Sequence, residues 1–398
     1  MTGCCMDVID LDNGQPDDQL LLTAHAAIAE ACVHALRPAS AGAGTPLQYG
    51  DISESPADPM DVTWPYRSAV AALLTRHYGY TVDTEAIFPS AGVSQALDLL
   101  CTLFGRTGDV VLAEDPTYFC ALQIFADHGL EVWPVASDEH GMRLENLEAR
   151  LIEAQTAGRR VALCYFIPTF QNPMGSTMPR ERRERLAALS SARQLLLVAD
   201  EVYQLLALPG RGDKSEEALP PPMCSFGGER VVSVSSFSKL VAPGLRVGWI
   251  EAPSLVMKTL RGCGVMFSGG SVSQFSSAVV ASAITLGHVE RLLAELKQIY
   301  AQRLHATVAA LQASLPKGCA FAAPNGGYFV WVRLPVGTSA KAVLDQPGVG
   351  IKAKAGHTCT PGKDRHHDCI RLCFTRCTVP QLEEGCARLG RALRSAES

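Results

Sequence analysis

The sequence lacks any apolar run that approaches the roughly 20 residues needed for a membrane-spanning helix. It also lacks a basic excess, because 35 Lys and Arg stand against 40 Asp and Glu, giving a net charge of −5 over 398 residues. An acidic balance of this kind provides no electrostatic surface for nucleic acid or for an anionic membrane. We therefore expect neither nucleic acid nor a membrane as a partner, and small molecules as ligands.

The first residues lack the basic region and apolar segment of a secretory signal, and they are not Arg-rich like a transit peptide. The 14 cysteines are scattered through strand-like and helix-like segments. In a chain of this size, such cysteines are expected to be reduced thiols of a cytoplasmic protein.

A cluster of His and Cys near the C-terminus weakly suggests a zinc site, through the H-x-C pairs His357 to Cys359 and His367 to Cys369. Cys369, however, begins a segment that is typical of a strand, and later cysteines continue along that strand and its exit. We therefore expect loop and core thiols here, and no metal.

The order of elements predicts an α/β fold. Between about residues 85 and 250, strand-like segments alternate with helical ones, which indicates a mostly parallel sheet between helices. Polar residues follow the carboxyl ends of these strands, where open α/β sheets bind ligands. We expect a large domain at residues 46–270. Residues 1–45 would form an N-terminal arm and part of a smaller α+β domain, which residues 271–398 would complete with an interdomain helix.

One lysine, Lys239, follows an apolar strand-like segment and has hydroxyls beside it at Ser236 and Ser238 and a guanidinium at Arg246. Burial and a nearby cation lower the pKa of a lysine, which makes the amine nucleophilic. Such an amine forms Schiff bases with carbonyl compounds, of which pyridoxal 5'-phosphate (PLP) is the commonest. The hydroxyls and the guanidinium suit its phosphate. Taken alone, the segment also fits an ordinary basic loop after a strand.

A second candidate anion site lies where a strand, a glycine turn and the start of a helix follow one another, at Gly92, Val93 and Ser94. Free amides at a helix N-terminus, together with a serine hydroxyl, bind anions. By itself, this junction is also compatible with a purely structural turn.

Two further charged residues stand in apolar surroundings. Asp200 ends a continuous apolar run that is typical of a central parallel strand, where a buried carboxylate requires a cationic partner. A protonated pyridinium nitrogen is such a partner, and it makes the ring an electron sink. Arg371 lies within the apolar strand-like segment 370–374, where an inward arginine favours a bidentate anion or a structural salt bridge.

The segment S-x-S-K, followed by P-G-L-R-x-G-W up to Trp249, resembles the cofactor-lysine signature of fold-type I PLP enzymes in the class I/II aminotransferase group. The resemblance extends from about Asp10 to Arg376, and it is strongest to the 2-aminoadipate, kynurenine and aromatic aminotransferases. It implies a homodimer with an active site at the interface. The resemblance also implies which residues bind the cofactor. They are Gly92, Val93, Ser94, Tyr118, Asn172, Asp200, Tyr203, Ser236, Ser238, Lys239 and Arg246, together with Tyr49 from the neighbouring subunit.

The resemblance also assigns roles. Tyr118, in the motif E-D-P-T-Y, would stack on the pyridine ring and act with Lys239 and Asp200 in catalysis. Asn172, in N-P-x-G, and Tyr203 would contact the phenolic oxygen of the cofactor. The substrate would be bound by Gly14 in the N-terminal turn, by Asn172, and by Arg371 of the motif R-L-x-F, which takes the α-carboxylate.

Two segments depart from the family pattern: the acidic, proline-rich insertion at 51–64, and the loop 353–358 on the substrate side of the site. Residues 14–36 contain no Arg or Lys, which favours an uncharged or aromatic substrate side chain, unless the partner subunit supplies an arginine. The expected reaction moves an amino group from an L-amino acid to a 2-oxo acid, with Lys239 as general base and acid.

Two alternatives remain open. A PLP-dependent lyase, cyclase or decarboxylating enzyme uses the same constellation of residues. The ligand-sensing half of a transcriptional regulator would in addition require a DNA-binding domain, for which the chain leaves no residues.

Overall fold

The computed structural model describes residues 7–37, 45–49, 63–209, 219–269 and 273–397. Its strands lie in three sheets. In chain order, they are β1 (Ile9–Asp10), β2 (Ile87–Ser90), β3 (Val110–Asp115), β4 (Glu131–Asp138), β5 (Gly141–Met142), β6 (Val161–Phe166), β7 (Leu197–Asp200), β8 (Val231–Ser236), β9 (Gly248–Glu251), β10 (Ala320–Phe321), β11 (Phe329–Arg333), β12 (Ile351–Lys352), β13 (Lys354–Ala355) and β14 (Cys369–Cys373).

The largest sheet has the strand order β2-β9-β8-β7-β6-β3-β4-β5. Strands β8, β7, β6, β3 and β4 pair in parallel, whereas β9 runs antiparallel to both of its neighbours and β5 runs antiparallel to β4. Every residue of β3, β7 and β8 is buried. Such strands are covered on both faces, which is why each of them begins with consecutive apolar residues. The predicted mostly parallel α/β sheet is confirmed.

Helices connect and cover these strands. Apolar residues at helical spacing in the sequence predict helices at 20–36, 271–284 and 288–315, and the structure has helices there whose ends differ by a few residues. In chain order, the helices are α1 (Asp18–Ala35), α2 (Trp64–Tyr78), α3 (Val93–Phe104), α4 (Phe119–Asp127), α5 (Leu144–Thr156), α6 (Arg180–Arg193), α7 (Ser254–Arg261), α8 (Gly264–Gly269), α9 (Gln274–Thr285), α10 (His288–Ser314), α11 (Ala340–Leu344) and α12 (Val379–Glu397).

None of the helices in the described ranges is, as a single helix, both long and apolar enough to cross a membrane. The pair α9 and α10, which is bent by 78° at the break between them, passes the same test of length and composition when the two are taken together.

A second sheet, of order β10-β11-β14-β13, is antiparallel and lies in the C-terminal part of the chain, where α11 contacts β13 and α12 packs against α10 and α11. The N-terminal arm joins this part, because β1 pairs in parallel with β12. The arm is also tied to β14, since the Cys373 amide donates to the Leu11 carbonyl at 2.7 Å. The two ends of the chain therefore lie side by side, next to the carboxyl ends of the large sheet. The domain boundaries expected from the sequence stay a prediction.

Candidate active site

A cavity of about 390 Å³ lies at the carboxyl ends of the parallel strands. Its walls come from both ends of the chain and from the large sheet. Of the residues predicted for a site, it is lined by Gly14, Val93, Ser94, Tyr118, Asn172, Asp200, Tyr203, Ser236, Ser238, Lys239, Arg246 and Arg371.

At one end of the cavity, Gly92, Ser236, Ser238 and Arg246 form a recess, the cradle, whose donors are of the kind that bind anions. Gly92 has a φ of +89°, and a Cβ atom on it would lie 3.3 Å from Arg246 Nη2 and 3.5 Å from Ser236 Oγ. A side chain at this position would therefore fill the space that the hydroxyl and the guanidinium face. The Ser236 hydroxyl donates to Ser238 Oγ at 2.8 Å, which places the second hydroxyl at the same point.

Helix α3 begins beside this cradle at Val93. The first turn of a helix leaves its amides without acceptors inside the helix, and the helix dipole adds partial positive charge there. The amides of Val93 and Ser94 belong to that turn, and the first helical hydrogen bond is donated by Ala96 to the Gly92 carbonyl. Amides, hydroxyls and a guanidinium thus converge, as a phosphate group requires.

Lys239 follows β8 and is partly buried in the cavity wall. Its Nζ donates a short hydrogen bond to the Gly14 carbonyl in the N-terminal turn and lies 5.2 Å from the centre of the Tyr328 ring. Removal from water is the main cause that lowers the pKa of Lys239 to about 8, and nearby Arg371 acts in the same direction. A substantial fraction of this amine is therefore uncharged, and nucleophilic, at mildly alkaline pH.

Asp200 ends β7 and is buried. Its Oδ2 accepts a hydrogen bond from the Tyr165 hydroxyl at 2.8 Å. Burial raises the pKa of Asp200 to about 6, while the Tyr165 hydroxyl, the Val202 amide and the charge of Lys239 lower it. Asp200 is therefore predominantly a carboxylate at neutral pH, although it is buried.

Two aromatic residues predicted for the cofactor flank this carboxylate in the cavity lining. Tyr118 precedes α4 and lies beside Phe119, with 5.6 Å between their ring centres. Tyr203 is buried, and its ring packs against Tyr328 at 5.4 Å and Phe329 at 6.2 Å. Burial raises the pKa of both cavity tyrosines, so each phenol keeps its proton.

The opposite end of the cavity is built around Arg371, which lies in the middle of β14 and is 3% exposed. Its Nη1 donates to Asn172 Oδ1 at 3.0 Å, and its Nη2 donates to Asp12 Oδ1 at 2.9 Å and to the Asp12 carbonyl at 2.8 Å. The guanidinium lies 4.1 Å from the centre of the Phe329 ring. Its Nε has no hydrogen-bond partner among the described residues. The Arg371 guanidinium therefore keeps donor capacity for a ligand, in addition to its bonds to Asn172 and Asp12.

Sequence reasoning missed several residues that line the cavity or, like Tyr165, hold a side chain that lines it. Tyr165 is a strand residue whose neighbours are all apolar, so no sequence signal separates it from the core. Asp12 and Lys354 line the cavity and form an ion pair at 3.1 Å. Lys352 also lines it. The departure of the loop 353–358 from the family pattern was the signal that pointed towards Lys354.

Tyr49 is not part of the cavity of its own chain. Its side chain is 87% exposed and lies against Gly269, where a Cβ atom would be 3.4 Å from the ring. The predicted role in a neighbouring subunit is not tested by this position and stays a prediction. The insertion predicted at 51–64 lies outside the described residues, apart from Thr63 and Trp64.

The histidine and cysteine cluster near the C-terminus forms no metal site in the described part of the chain, where no three His, Cys, Asp or Glu side chains are grouped suitably. His357 and His367 stack with their ring centres 5.3 Å apart. The twelve cysteines that the structure describes are all free thiols.

A lysine, a buried carboxylate and an anion cradle at the carboxyl edge of this parallel sheet define an enzyme of the fold-type I PLP class. The sequence profile of aminotransferase class I and II matches residues 7–389. Aromatic-amino-acid aminotransferase 1 of Thermococcus litoralis is 32% identical over 83% of this chain and 78% of that protein. The 2-aminoadipate transaminase of Thermus thermophilus is 31% identical, over 79% and 76%.

A solved structure of an aminotransferase is also similar to this protein. The kynurenine aminotransferase of Pyrococcus horikoshii, in complex with PMP, KYN and KYA, matches with a TM-score of 0.85 at 28% identity, over 99% of this chain and 92% of that one. The protein belongs to the aminotransferase class I and II family. It is a PLP-dependent aminotransferase, which moves an amino group from an amino acid to a 2-oxo acid.

The residues present fit PLP. The space above Gly92, which a Cβ atom would fill, faces the donors that a phosphate needs. A lysine amine with a lowered pKa and a buried carboxylate that faces the same cavity complete the set.

Proposed function

We propose that this cavity is the active site and that its residues have the roles expected from the sequence. The observation that carries the proposal is the convergence of Lys239, Asp200 and Arg371 on one cavity of about 390 Å³. These residues come from distant parts of the chain. The phosphate of the cofactor would be held by the amides of Val93 and Ser94, together with the hydroxyls and the guanidinium of the cradle.

When bound, PLP supplies the carbonyl carbon that takes up the amino group and the ring that accepts electrons from the substrate. Asp200, kept ionised by the Tyr165 hydroxyl, stabilises the positive charge of the ring nitrogen. Tyr118 would stack on the ring face, and Asn172 and Tyr203 would bind the phenolic oxygen of the cofactor.

Arg371 orients the substrate by its α-carboxylate. Its planar guanidinium is held by the Asn172 side chain and by the Phe329 ring, so it is already positioned before a ligand arrives. With the carboxylate fixed, Lys239 Nζ would remove the proton from the α-carbon and deliver it to the carbon that comes from the carbonyl group of the cofactor, acting first as base and then as acid. A lysine with a pKa of about 8 suits both steps.

The N-terminal turn at Gly14 covers the cavity next to Lys239 and excludes water there. Asp10 Oδ1 accepts hydrogen bonds from the amides of Asp12 and Asn13, and these bonds shape the turn that brings the Gly14 carbonyl to Lys239. A Cβ atom on Gly14 would lie 2.8 Å from the Phe329 ring, so a larger residue would push the turn away from the cavity.

The substrate side chain is proposed to be uncharged or aromatic. Phe119 and Phe329 provide apolar walls next to Arg371, with ring centres 5.6 and 4.1 Å from its guanidinium carbon. The name of the Thermococcus litoralis relative supports the same class of amino acid. The segment 14–36 adds no cation to the cavity.

We also propose a cytoplasmic homodimer that shares its active sites. Tyr49, Val265 and Phe267 are exposed apolar or aromatic side chains, and Tyr49 lies against Gly269 at the end of α8. A partner subunit would cover them, and Tyr49 would then reach the partner's phosphate. The free thiols support a reducing compartment.

Mixed dimers test the shared site. Tyr49→Ala and Lys239→Ala subunits are each expected to be weakly active or inactive, and mixing them should restore activity, because one site of each hybrid has both residues. No gain on mixing would contradict the role of Tyr49.

The central experiment adds a panel of L-amino acids to the purified, PLP-loaded protein without an acceptor. We expect one stoichiometric loss of the cofactor absorbance, and its return when a 2-oxo acid is added. Persistent absorbance with ammonia or another small product released over many turnovers would instead indicate a lyase or cyclase. Lys239→Ala should abolish turnover, whereas Lys258→Ala, on the exposed face of α7, should not.

A further inference from the structure

Two cations stand directly opposite each other on the substrate side of the cavity. Lys354 of β13 is the cross-strand partner of Arg371 in β14. Like charges in directly opposed positions of an antiparallel pair destabilise a sheet. A third group therefore has to compensate them.

Asp12 is that group. Its Oδ1 lies 2.9 Å from Arg371 Nη2, and its Oδ2 lies 3.1 Å from Lys354 Nζ, so one carboxylate bridges the two cations. The exposed fractions of the side chains are 3% for Arg371, 13% for Asp12 and 22% for Lys354. Charges shielded to this degree are only weakly screened by solvent and salt.

Lys354 is held at the place that the substrate side chain is expected to occupy. Its Nζ lies 4.5 Å from the centre of the Phe119 ring, on the apolar wall of the cavity. Lys352, two residues earlier, provides a contrast, because its side chain is 60% exposed and its Nζ is 3.9 Å from Asp10. Of these two lysines, Lys354 is the one placed to affect a bound side chain.

We propose that Asp12 is a specificity-determining residue that neutralises Lys354 and so keeps the cavity selective for amino acids with uncharged side chains. The inference rests on the proposed function, in which Arg371 takes the α-carboxylate. Once that carboxylate has replaced Asp12 on Arg371, Asp12 and Lys354 form a neutral pair. A second carboxylate on the substrate would then lie near Lys354, whose charge Asp12 already compensates, and near the Asp12 carboxylate, which repels it.

The test compares two non-reacting ligands on the PLP-loaded protein by isothermal titration calorimetry. Glutarate carries a second carboxylate, and 3-phenylpropionate carries an aromatic ring instead. Wild type is expected to prefer 3-phenylpropionate. In Asp12→Asn, the affinity for glutarate relative to 3-phenylpropionate should rise about tenfold, because Lys354 loses its partner. An unchanged ratio would overturn the proposal.

Lys354→Met gives an independent arm that does not depend on the folding of the first variant. It should lower the relative affinity for glutarate further, and Asp12→Asn with Lys354→Met should return the ratio towards that of wild type. Lys341→Met is the control and should change the ratio by less than about twofold, since that lysine is exposed, pairs with Asp345 and does not line the cavity. A change in this affinity ratio as large as that caused by Lys354→Met would show that the effect is not specific to Lys354.

A further variant, Arg371→Lys, distinguishes failure of the proposed function from failure of the inference about Asp12. If Arg371→Lys leaves the affinity for both ligands unchanged, then Arg371 is not the α-carboxylate site. If Arg371→Lys weakens both ligands while Asp12→Asn leaves their ratio unchanged, only the inference about Asp12 fails.

Discussion

The Tyr165 hydroxyl donates a hydrogen bond of 2.8 Å to Asp200 Oδ2, and both residues are buried on neighbouring strands of the large sheet. This bond opposes the effect of burial, which by itself pushes the pKa of the carboxyl group upwards. The tyrosine therefore helps to keep Asp200 ionised, which is the form that a pyridinium nitrogen requires.

Tyr165→Phe should raise the pKa of Asp200 above its value of about 6, because the carboxylate loses a donor while its burial is kept. The affinity for PLP should then fall most on the acid side, by about tenfold at pH 6 and less at pH 8. Fluorescence titration of the apoenzyme with PLP across this range measures the effect. Tyr300→Phe, which removes another buried hydroxyl outside the cavity lining, should leave the pH dependence unchanged.

Gly92→Ala should weaken PLP binding by about tenfold or more, because its Cβ atom would press on Arg246 and Ser236 in the anion cradle. Gly79→Ala is the matched control, since Gly79 also has a positive φ, of +74°, but has no atom within 4 Å of the new Cβ. Both variants should lose about 1 kcal/mol of stability from backbone strain. Equal PLP affinity in the two variants would contradict the cradle.

Arg371→Lys should raise the KM for the amino acid by about a hundredfold, because an ammonium group cannot replace the two-pronged contact of a guanidinium with a carboxylate. The affinity for PLP should change little, since Arg371 lies at the substrate end of the cavity. Steady-state kinetics together with PLP titration separate the two effects. Arg76→Lys, in an exposed pair with Glu290, should behave like wild type.

Glu114→Gln should flatten the pH dependence of stability. Burial is the main cause that raises the pKa of Glu114 from 4.5 to about 8, so the folded state holds this proton more tightly than the unfolded state. Its contribution to stability is complete below about pH 4.5 and is lost as the pH rises to 8. Between pH 5 and 8, the free energy of unfolding measured in urea should fall by about 3 kcal/mol less in the variant than in wild type. The exposed Glu148→Gln variant should keep the wild-type slope.

Much of the site was predictable because polar residues at the carboxyl ends of parallel strands meet at one edge of the sheet. Asp200 and Lys239 were visible as charges that end or follow apolar runs. The position of Asp12 was not predictable, because it depends on the pairing of β1 with β12, which joins residues more than three hundred positions apart. The position of Lys354 opposite Arg371 depends likewise on the register of β13 and β14.

The pairing of β1 with β12 also has a consequence for biosynthesis. The turn at Gly14 leaves the ribosome long before the strands that hold it, β12 and β14. Lys239 therefore remains uncovered until β12 and β14 have been synthesised, and a shorter nascent chain cannot enclose the cofactor. A chain that has enclosed PLP has therefore already paired β1 with β12.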